Sequence, residues 1–205
     1  MLEQEVDPIA EETGFSGVVR VDVGDGIELA KSYGLANRGY EIPNTVETQF
    51  GIASGTKGLT AVAVASLIED GLLEFTTTTR SVLGDDLPLI DDGVTIEHLL
   101  SHRSGIGDHL DEDSDLDFAD YLMPVPVHEL ATTEEYLAVL DGHPAKFVPG
   151  AEFAYCNSAY VVLALIAERA SGVPFPKLVR RRVCEPGEMY DTDFLRSVQL
   201  LSERY

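Results

Sequence analysis

The sequence is poor in basic residues. It has fourteen Lys and Arg against thirty-six Asp and Glu, which gives a formal net charge of -22 at pH 7. Such a surface repels nucleic acid and anionic membranes, so we expect neither as a partner. Its self-repulsion costs stability unless salt screens it, and the composition therefore predicts a halophile-type surface that works at high salt. The alternative is an ordinary acidic cytosolic protein.

Cysteines and long apolar runs are also scarce. Cys156 and Cys184 are too few for a disulfide framework or a cysteine metal site, so we expect both to be reduced and packed as small apolar groups. No apolar run approaches the length of a membrane span. The stretch from Met1 to Ala10 carries three acidic residues, which is untypical of a signal peptide. The sequence therefore predicts a cytoplasmic protein.

The composition is that of a globular protein. Hydrophobic residues make up 44% of the 205 residues, enough for one substantial core or two small ones. Phe15 to Val23 alternates valines with charged residues, and a glycine-rich turn leads to a second strand from Ile27 to Tyr33. This hairpin needs more sheet or a helix layer to be stable. Gly34 to Thr48 contains several breaker residues and is predicted to be a loop.

Four further segments predict helices. The first helix follows Phe50 and ends at Gly71, and the second runs from Thr95 to Ser101. The third begins at a capping box of Thr132 and Glu135 and ends near Gly142. The fourth spans Ser158 to Ala170 and closes at Gly172. In the first helix, apolar residues occupy most of the circumference. That pattern predicts a helix that is buried on nearly every side.

The first helix opens with Ser54-Gly55-Thr56-Lys57. A hydroxyl and an amine three residues apart on a helix project from the same face, so the amine can reach the serine oxygen. A neutral amine in that position can take the serine proton as the oxygen attacks a carbonyl. The alternative is structural, with Ser54 as a helix N-cap and Lys57 on the first exposed turn.

A second polar pair, Tyr155 and Asn157, precedes the last apolar helix. In an extended segment both side chains point to one side. The phenol could then share the serine proton, and the amide could hold the lysine or a substrate carbonyl. The alternative is a core tyrosine and an asparagine that caps the helix.

Two patterns raise the question of a metal site, and both are incomplete. His98 and His102 lie four apart on a predicted helix but lack the intervening Glu and a further ligand, so we expect hydrogen-bonded structural histidines. In the acidic stretch from Asp108 to Asp120, four aspartates have the spacing of ligands in a calcium-binding loop: Asp111, Asp113, Asp115 and Asp117. Leucines stand where the loop needs its glycine and its bidentate glutamate, so we predict a solvated acidic loop and no metal.

Taken together, the motifs resemble a known family. Ser54-x-x-Lys57, His98-Leu99-Leu100-Ser101-His102-x-Ser104-Gly105, Pro149-Gly150 and Tyr155-x-Asn157 occur in the order and spacing of the serine β-lactamase and penicillin-binding-protein superfamily. The nearest resemblance is to its class C-like branch, which includes D,D-peptidases, D-amino-acid peptidases and esterases. It runs from about Phe15 to Phe194. Two departures are Cys156, where the family usually has serine, and Pro186-Gly187-Glu188-Met189 in place of Pro-Leu-Gly-Met.

The resemblance implies both chemistry and fold. Ser54 is implied to be the acylated nucleophile, with Lys57 and Tyr155 sharing the acid and base work, and Asn157 to contact the substrate amide and orient Lys57. The backbone N–H of Ser54 is implied to be one oxyanion donor. The implied function is a serine hydrolase that cleaves an ester, amide or β-lactam without a cofactor. The implied fold is α+β, β-lactamase/transpeptidase-like, with an N-terminal β-hairpin and a helical region.

One motif of the family is missing. We find no Lys or His, middle residue and Gly between Gly172 and Tyr205, where the strand with the second oxyanion donor is expected. We therefore expect one incomplete domain over 1–205, with the hairpin and loop at 10–48, the helical region at 49–190 and a truncated tail at 191–205. The remainder of the antiparallel sheet would be missing from this chain, and the expected partner is a second copy in a homo-oligomer or a complementing C-terminal chain. The alternative function is an inactive remnant or binding module.

Overall fold

The computed structural model describes residues 2–112 and 121–195. The chain divides into two compact units, Met1–Ile52 and Ala53–Tyr205. The domain bounds expected from the sequence stay a prediction.

The first unit contains the expected hairpin and a helix that the sequence did not predict. Strands β1 (Gly17–Val23) and β2 (Gly26–Tyr33) pair antiparallel. Helix α1 (Leu2–Thr13) precedes them. Lys31 on β2 ties α1 to the hairpin, because its Nζ lies 2.7 Å from Glu3 Oε1 and 2.8 Å from the Asp7 carboxylate. These ion pairs join residues far apart in sequence, so the pattern of α1 alone does not reveal them.

The segment predicted to be a loop, Gly34 to Thr48, contains two short strands. They are β3 (Leu35–Asn37) and β4 (Ile42–Pro43), which pair antiparallel. The loop prediction was wrong there because Asn37 marks a turn between strands: its Oδ1 accepts the backbone N–H of Tyr40 at 3.0 Å. Asn44 is buried after β4 and donates from Nδ2 to the Tyr33 carbonyl at 2.8 Å.

The second unit is helical in its described residues. Its α-helices are α2 (Thr56–Glu69), α3 (Thr79–Leu83), α4 (Ile96–Leu100), α5 (Leu137–Leu140), α6 (Asn157–Ser171) and α7 (Phe175–Val179), followed by a π-helical turn at Arg180–Cys184. The core gathers around α6, whose Val162, Leu163, Leu165 and Ile166 are buried. Ala63, Val64 and Leu67 of α2 join the same core.

The expectation that α2 is buried on nearly every side was wrong. Thr60, Ala63, Val64 and Leu67 are buried, whereas Val62 is 51% exposed and Ala65 is also exposed. Apolar residues surround the helix, but within the second unit the described neighbours cover one face only. The sequence pattern records which residues are apolar and not which face a neighbour reaches.

The helix ends follow the sequence signals. Thr95 caps α4 by accepting the His98 N–H at 3.3 Å, and Gly172 closes α6 in the left-handed conformation. The predicted capping box also forms, since Glu135 Oε2 accepts the Thr132 N–H at 2.7 Å. The helix that follows is shorter than expected: a 3-10 turn at Glu134–Tyr136 precedes α5.

Among the described residues, no single helix is long and apolar enough to cross a membrane. One pair of helices, Asn157–Ser171 and Phe175–Cys184, has the length and composition of a membrane span when the two are taken together, but the pair is bent by 81°.

Candidate functional site

Ser54 and Lys57 lie at the start of α2. Ser54 belongs to a 3-10 turn, Ala53–Gly55, and Lys57 to the first turn of the helix. Lys57 Nζ donates to Ser54 Oγ at 3.0 Å, as the spacing predicts. The N-cap of α2 is Gly55, and no side chain caps the helix. Ser54 therefore does not act as an N-cap, and its hydroxyl points to the amine of Lys57.

Tyr155 and Asn157 reach the same two side chains from the start of α6. Tyr155 Oη donates to Ser54 Oγ at 2.8 Å, and Lys57 Nζ donates to Asn157 Oδ1 at 2.8 Å. The N-cap of α6 is Cys156, so the Asn157 side chain is not a cap. The structure thus brings together all four residues that the sequence singled out. Ser54 Oγ lies within hydrogen-bond distance of both an amine and a phenol.

Aromatic rings border the Lys57 amine. Its Nζ lies 4.8 Å from the ring centroid of Tyr155 and 5.9 Å from that of Tyr160. Tyr160 Oη donates to the Leu100 carbonyl at 3.0 Å, which fixes this ring between α4 and α6. Burial, together with the neighbouring Tyr155, raises the pKa of Tyr160. Tyr160 therefore stays a neutral phenol whose ring face is turned toward the amine.

The two histidines of the His98 to Gly105 motif accept backbone N–H groups. His98 Nδ1 accepts the Thr95 N–H at 3.3 Å, and His102 Nδ1 accepts the Cys156 N–H at 3.1 Å. The expectation of hydrogen-bonded structural histidines is confirmed for both. In the part of the chain that the structure describes, no three His, Cys, Asp or Glu side chains lie together as a metal site.

The sequence did not reveal the role of Asp108. The acidic pattern predicts a solvated loop there, but the Asp108 side chain is 0% exposed and caps α6. Its carboxylate accepts the N–H of Asn157 at 2.6 Å and the N–H of Ser158 at 2.9 Å. The solvated-loop prediction was wrong for Asp108, because two N–H groups at the helix start replace the water that a carboxylate needs. Asp113, Asp115 and Asp117 of the predicted loop lie outside the described residues.

Contacts from the segment after Asp108 set the orientation of the Asn157 amide. Asn157 Nδ2 donates to the Leu110 carbonyl at 2.9 Å and to Glu112 Oε1 at 3.1 Å. Because the nitrogen is held on that side, the oxygen of the amide faces Lys57. Asp111, the remaining position of the calcium pattern, lies 2.7 Å from Lys146 Nζ.

A close approach of two loops supports this segment. Gly105 has a φ of +67°, and a Cβ there would lie 2.1 Å from the Phe147 carbonyl oxygen. Only glycine fits that position without a shift of the backbone. Lys146 donates its backbone N–H to the Gly105 carbonyl at 2.8 Å.

Cys156 lies between the two polar residues of the second motif. Both Cys156 and Cys184 are free and buried, which confirms that they pack as small apolar groups. Burial first, and then the charge of Asp108, raise the pKa of the Cys156 thiol to about 12. The thiol is thus an inert core group, and the site uses only the backbone N–H of this residue.

Comparisons with known proteins agree with this arrangement. The beta-lactamase family model matches residues 2–199. Esterase EstB of Burkholderia gladioli is 30% identical over 210 residues, which is 95% of this chain and 51% of the esterase. The crystal structure of a penicillin-binding protein from Bacillus halodurans superposes with a TM-score of 0.86 at 36% identity, over 94% of this chain and 58% of that one.

A second solved structure is the octameric penicillin-binding protein homologue from Pyrococcus abyssi, with a TM-score of 0.78 and 28% identity over 99% of this chain and 46% of that one. The chain spans about half the length, or less, of the curated relatives it matches. Within that span, the β-lactamase/transpeptidase-like fold expected from the sequence is confirmed. The chain belongs to the beta-lactamase family.

Proposed function

We propose that the protein is a serine hydrolase that cleaves an ester, amide or β-lactam through an acyl-enzyme on Ser54. The observation that carries the proposal is the position of Ser54 Oγ, 3.0 Å from Lys57 Nζ and 2.8 Å from Tyr155 Oη. A serine needs a base within hydrogen-bond reach to attack a carbonyl at neutral pH. Here the Lys57 amine is the candidate base within that reach, and the Tyr155 phenol, which donates to Ser54 Oγ, is the candidate acid partner.

The proton transfers follow from these contacts. Ser54 Oγ attacks the substrate carbonyl carbon while its proton passes to the neutral amine of Lys57, which becomes an ammonium group, and the Tyr155 phenol acts as the acid partner. The proton is then delivered to the leaving group as the acyl–Ser54 bond forms and the ester, amide or lactam bond breaks. Water attacks the acyl-enzyme with the same groups as base and acid, and Ser54 is restored.

Asn157 orients Lys57 in this proposal. Its Oδ1 accepts a hydrogen bond from Nζ at 2.8 Å, which holds the amine beside Ser54 Oγ. The backbone N–H of Ser54 stays a predicted oxyanion donor. The names of the relatives support the substrate class, since one is an esterase and another a D-alanyl-D-alanine carboxypeptidase and endopeptidase.

Covalent labelling tests the proposal. A fluorophosphonate probe or a fluorescent penicillin should label the wild type and not Ser54→Ala. Ser81→Ala is a matched control, because Ser81 is an exposed serine on α3 that binds only its own helix start, and it should label like the wild type. Equal labelling of wild type and Ser54→Ala would overturn the assignment.

Turnover separates the enzyme from the inactive remnant or binding module. Steady hydrolysis of nitrophenyl butyrate that Ser54→Ala abolishes would exclude the non-catalytic alternative. Labelling without turnover would instead favour a protein that binds and is acylated once.

We also propose a homo-oligomer or a complementing C-terminal chain as partner. The octameric state of the Pyrococcus abyssi homologue supports the first. Light scattering after size exclusion tests it, and a monomer at every concentration would exclude the homo-oligomer.

High-salt operation in the cytoplasm is part of the same proposal. The net charge of -22 supports it, because salt screens the repulsion between carboxylates. The Tm should rise between dilute buffer and molar potassium chloride. A Tm that stays level or falls would count against the salt hypothesis.

A further inference from the structure

His102 holds the backbone on both sides of Tyr155. The N–H of Ala154 donates to the His102 carbonyl at 3.0 Å, and the N–H of Cys156 donates to His102 Nδ1 at 3.1 Å. One of these bonds uses the main chain of the histidine and the other its ring. Tyr155 lies between Ala154 and Cys156, so His102 alone fixes the backbone on both of its sides. His102 and Cys156 are fifty-four positions apart in the sequence.

The same histidine also packs on the ring of Tyr155. The two ring centroids are 4.6 Å apart with an interplanar angle of 34°. His102 contacts two further rings. Its ring centroid lies 5.1 Å from that of Tyr160 and 6.0 Å from that of the exposed Phe153, which meets it edge-on. Backbone and ring contacts thus act together to fix the direction in which the phenol points toward Ser54.

The ring bond depends on the protonation of His102. Nδ1 accepts a hydrogen bond, so it carries no proton, and the neutral ring has its proton on Nε2. An imidazolium has N–H groups on both nitrogens and cannot accept the Cys156 N–H. After protonation, the Nδ1–H of His102 and the N–H of Cys156 are two donors that face each other, and their hydrogen bond is lost.

The charged and titratable groups around His102 favour the neutral ring. Burial lowers the pKa of His102, and Lys57 on α2 lowers it further whenever its amine is protonated, while the carboxylate of Asp108 acts in the opposite direction. Tyr155 and Tyr160, which face the ring, are phenols. At neutral pH the Cys156 bond is therefore intact.

We propose that His102 is a positioning residue for Tyr155, and that it keeps the phenol aimed at Ser54 only while its imidazole is neutral. The inference rests on the proposed function for its effect on catalysis. Acidification breaks the Cys156 bond and adds a positive charge beside Lys57. Tyr155 is then free to rotate away from Ser54, and acylation slows.

The main experiment measures the second-order rate of Ser54 acylation by a fluorophosphonate probe from pH 4.5 to pH 8. His102→Asn is the informative variant: its Oδ1 can accept the Cys156 N–H, asparagine tolerates the left-handed φ of +56° found here, and it does not titrate. We expect it to keep the rate at pH 8 within about tenfold and to lose much less of that rate on acidification than the wild type does.

Two further variants bracket this result. His102→Leu removes the acceptor and should lower the rate at pH 8 by about 10- to 100-fold. His98→Asn is the matched control, because His98 also accepts a backbone N–H through Nδ1 but does so at the start of α4. It should keep the wild-type pH profile.

NMR gives a readout that does not need activity. The amide cross-peak of Cys156 should follow the titration of the His102 ring in wild type and lose that inflection in His102→Asn. A Cys156 amide that ignores His102 protonation would overturn the inference, whether or not the protein is an enzyme.

The outcomes separate the two proposals. Probe labelling of the wild type with an unchanged pH profile in His102→Asn would overturn the role of His102 and leave the serine hydrolase intact. A wild type that fails to label at every pH, with the NMR inflection present, would overturn the proposed function but not the positioning of Tyr155.

Discussion

The two helix starts that form the site differ in what holds them. At the start of α2, Ser54 and Lys57 meet within one turn, no side chain caps the helix, and Ser54 is exposed. At the start of α6, the buried Asp108 caps the helix. Ser54 and Lys57 are thus placed by local geometry, whereas Tyr155 and Asn157 are placed by contacts across the unit. Substitutions at α2 should change the chemistry alone, and substitutions around α6 should change chemistry and stability together.

The largest expected effect is on the α2 side. Lys57→Met removes the amine that contacts both Ser54 and Asn157, so the acylation rate should fall by roughly 10²- to 10⁴-fold. The Tm should change little, because Asn157 keeps its hydrogen bonds to Leu110 and Glu112. Lys177→Met, at an exposed position of α7, should keep the wild-type rate. A Lys57→Met protein that labels at the wild-type rate would remove lysine from the mechanism.

On the α6 side, Asp108→Ala should affect both properties. It leaves the N–H groups of Asn157 and Ser158 without their acceptor, and we expect a loss of about 2 kcal/mol in the free energy of unfolding. The acylation rate should fall as well, because Asn157 is no longer fixed. Urea unfolding and probe labelling measure the two effects.

Thr78→Ala is the control for Asp108→Ala. Thr78 caps α3 by accepting the Ser81 N–H at 3.3 Å, so its loss should cost about 1 kcal/mol. Its acylation rate should stay at the wild-type level. Equal rate losses in both variants would mean that any helix cap matters to the site, and the contrast between the two helix starts would disappear.

A smaller effect is expected on the pH dependence of stability. Burial lowers the pKa of His102 and of His109 below the ordinary value of 6.5. Below pH 6.5 the unfolded chain therefore binds more protons than the folded one, and stability falls as the pH decreases. His102→Asn should show a shallower fall in Tm between pH 7 and pH 5 than the wild type. An identical slope would mean that His102 binds its proton equally well in the folded and the unfolded chain.

The smallest effect is expected at Cys156. The hydrogen bond to His102 uses the backbone N–H, so Cys156→Ser should keep the acylation rate within about twofold. Because the pKa of the thiol is raised to about 12, a thiol reagent at pH 8 should leave Cys156 unmodified in the folded protein. The unfolded protein should react at both cysteines, and rapid modification of Cys156 in the native state would contradict its burial.

The contrast between the helix starts also explains what the sequence could predict. The period of a helix places Lys57 next to Ser54, and the alternation of an extended segment puts Tyr155 and Asn157 on one side. Both are local rules. The cap of Asp108 joins positions forty-nine residues apart, and no local period encodes it. The exposed face of α2 and the ion pairs of α1 escaped prediction for the same reason.

The sequence distances within the site have a consequence for synthesis of the protein. Tyr155 is 101 residues from Ser54, and Asn157 is 100 residues from Lys57. Chains emerge from the ribosome from the N-terminus, so the serine is exposed to the cell well before the phenol is made. Under the proposed function, a nascent chain that carries only the α2 start holds a serine without its complete set of proton partners. The complete set of contacts around Ser54 then forms only once α6 has docked.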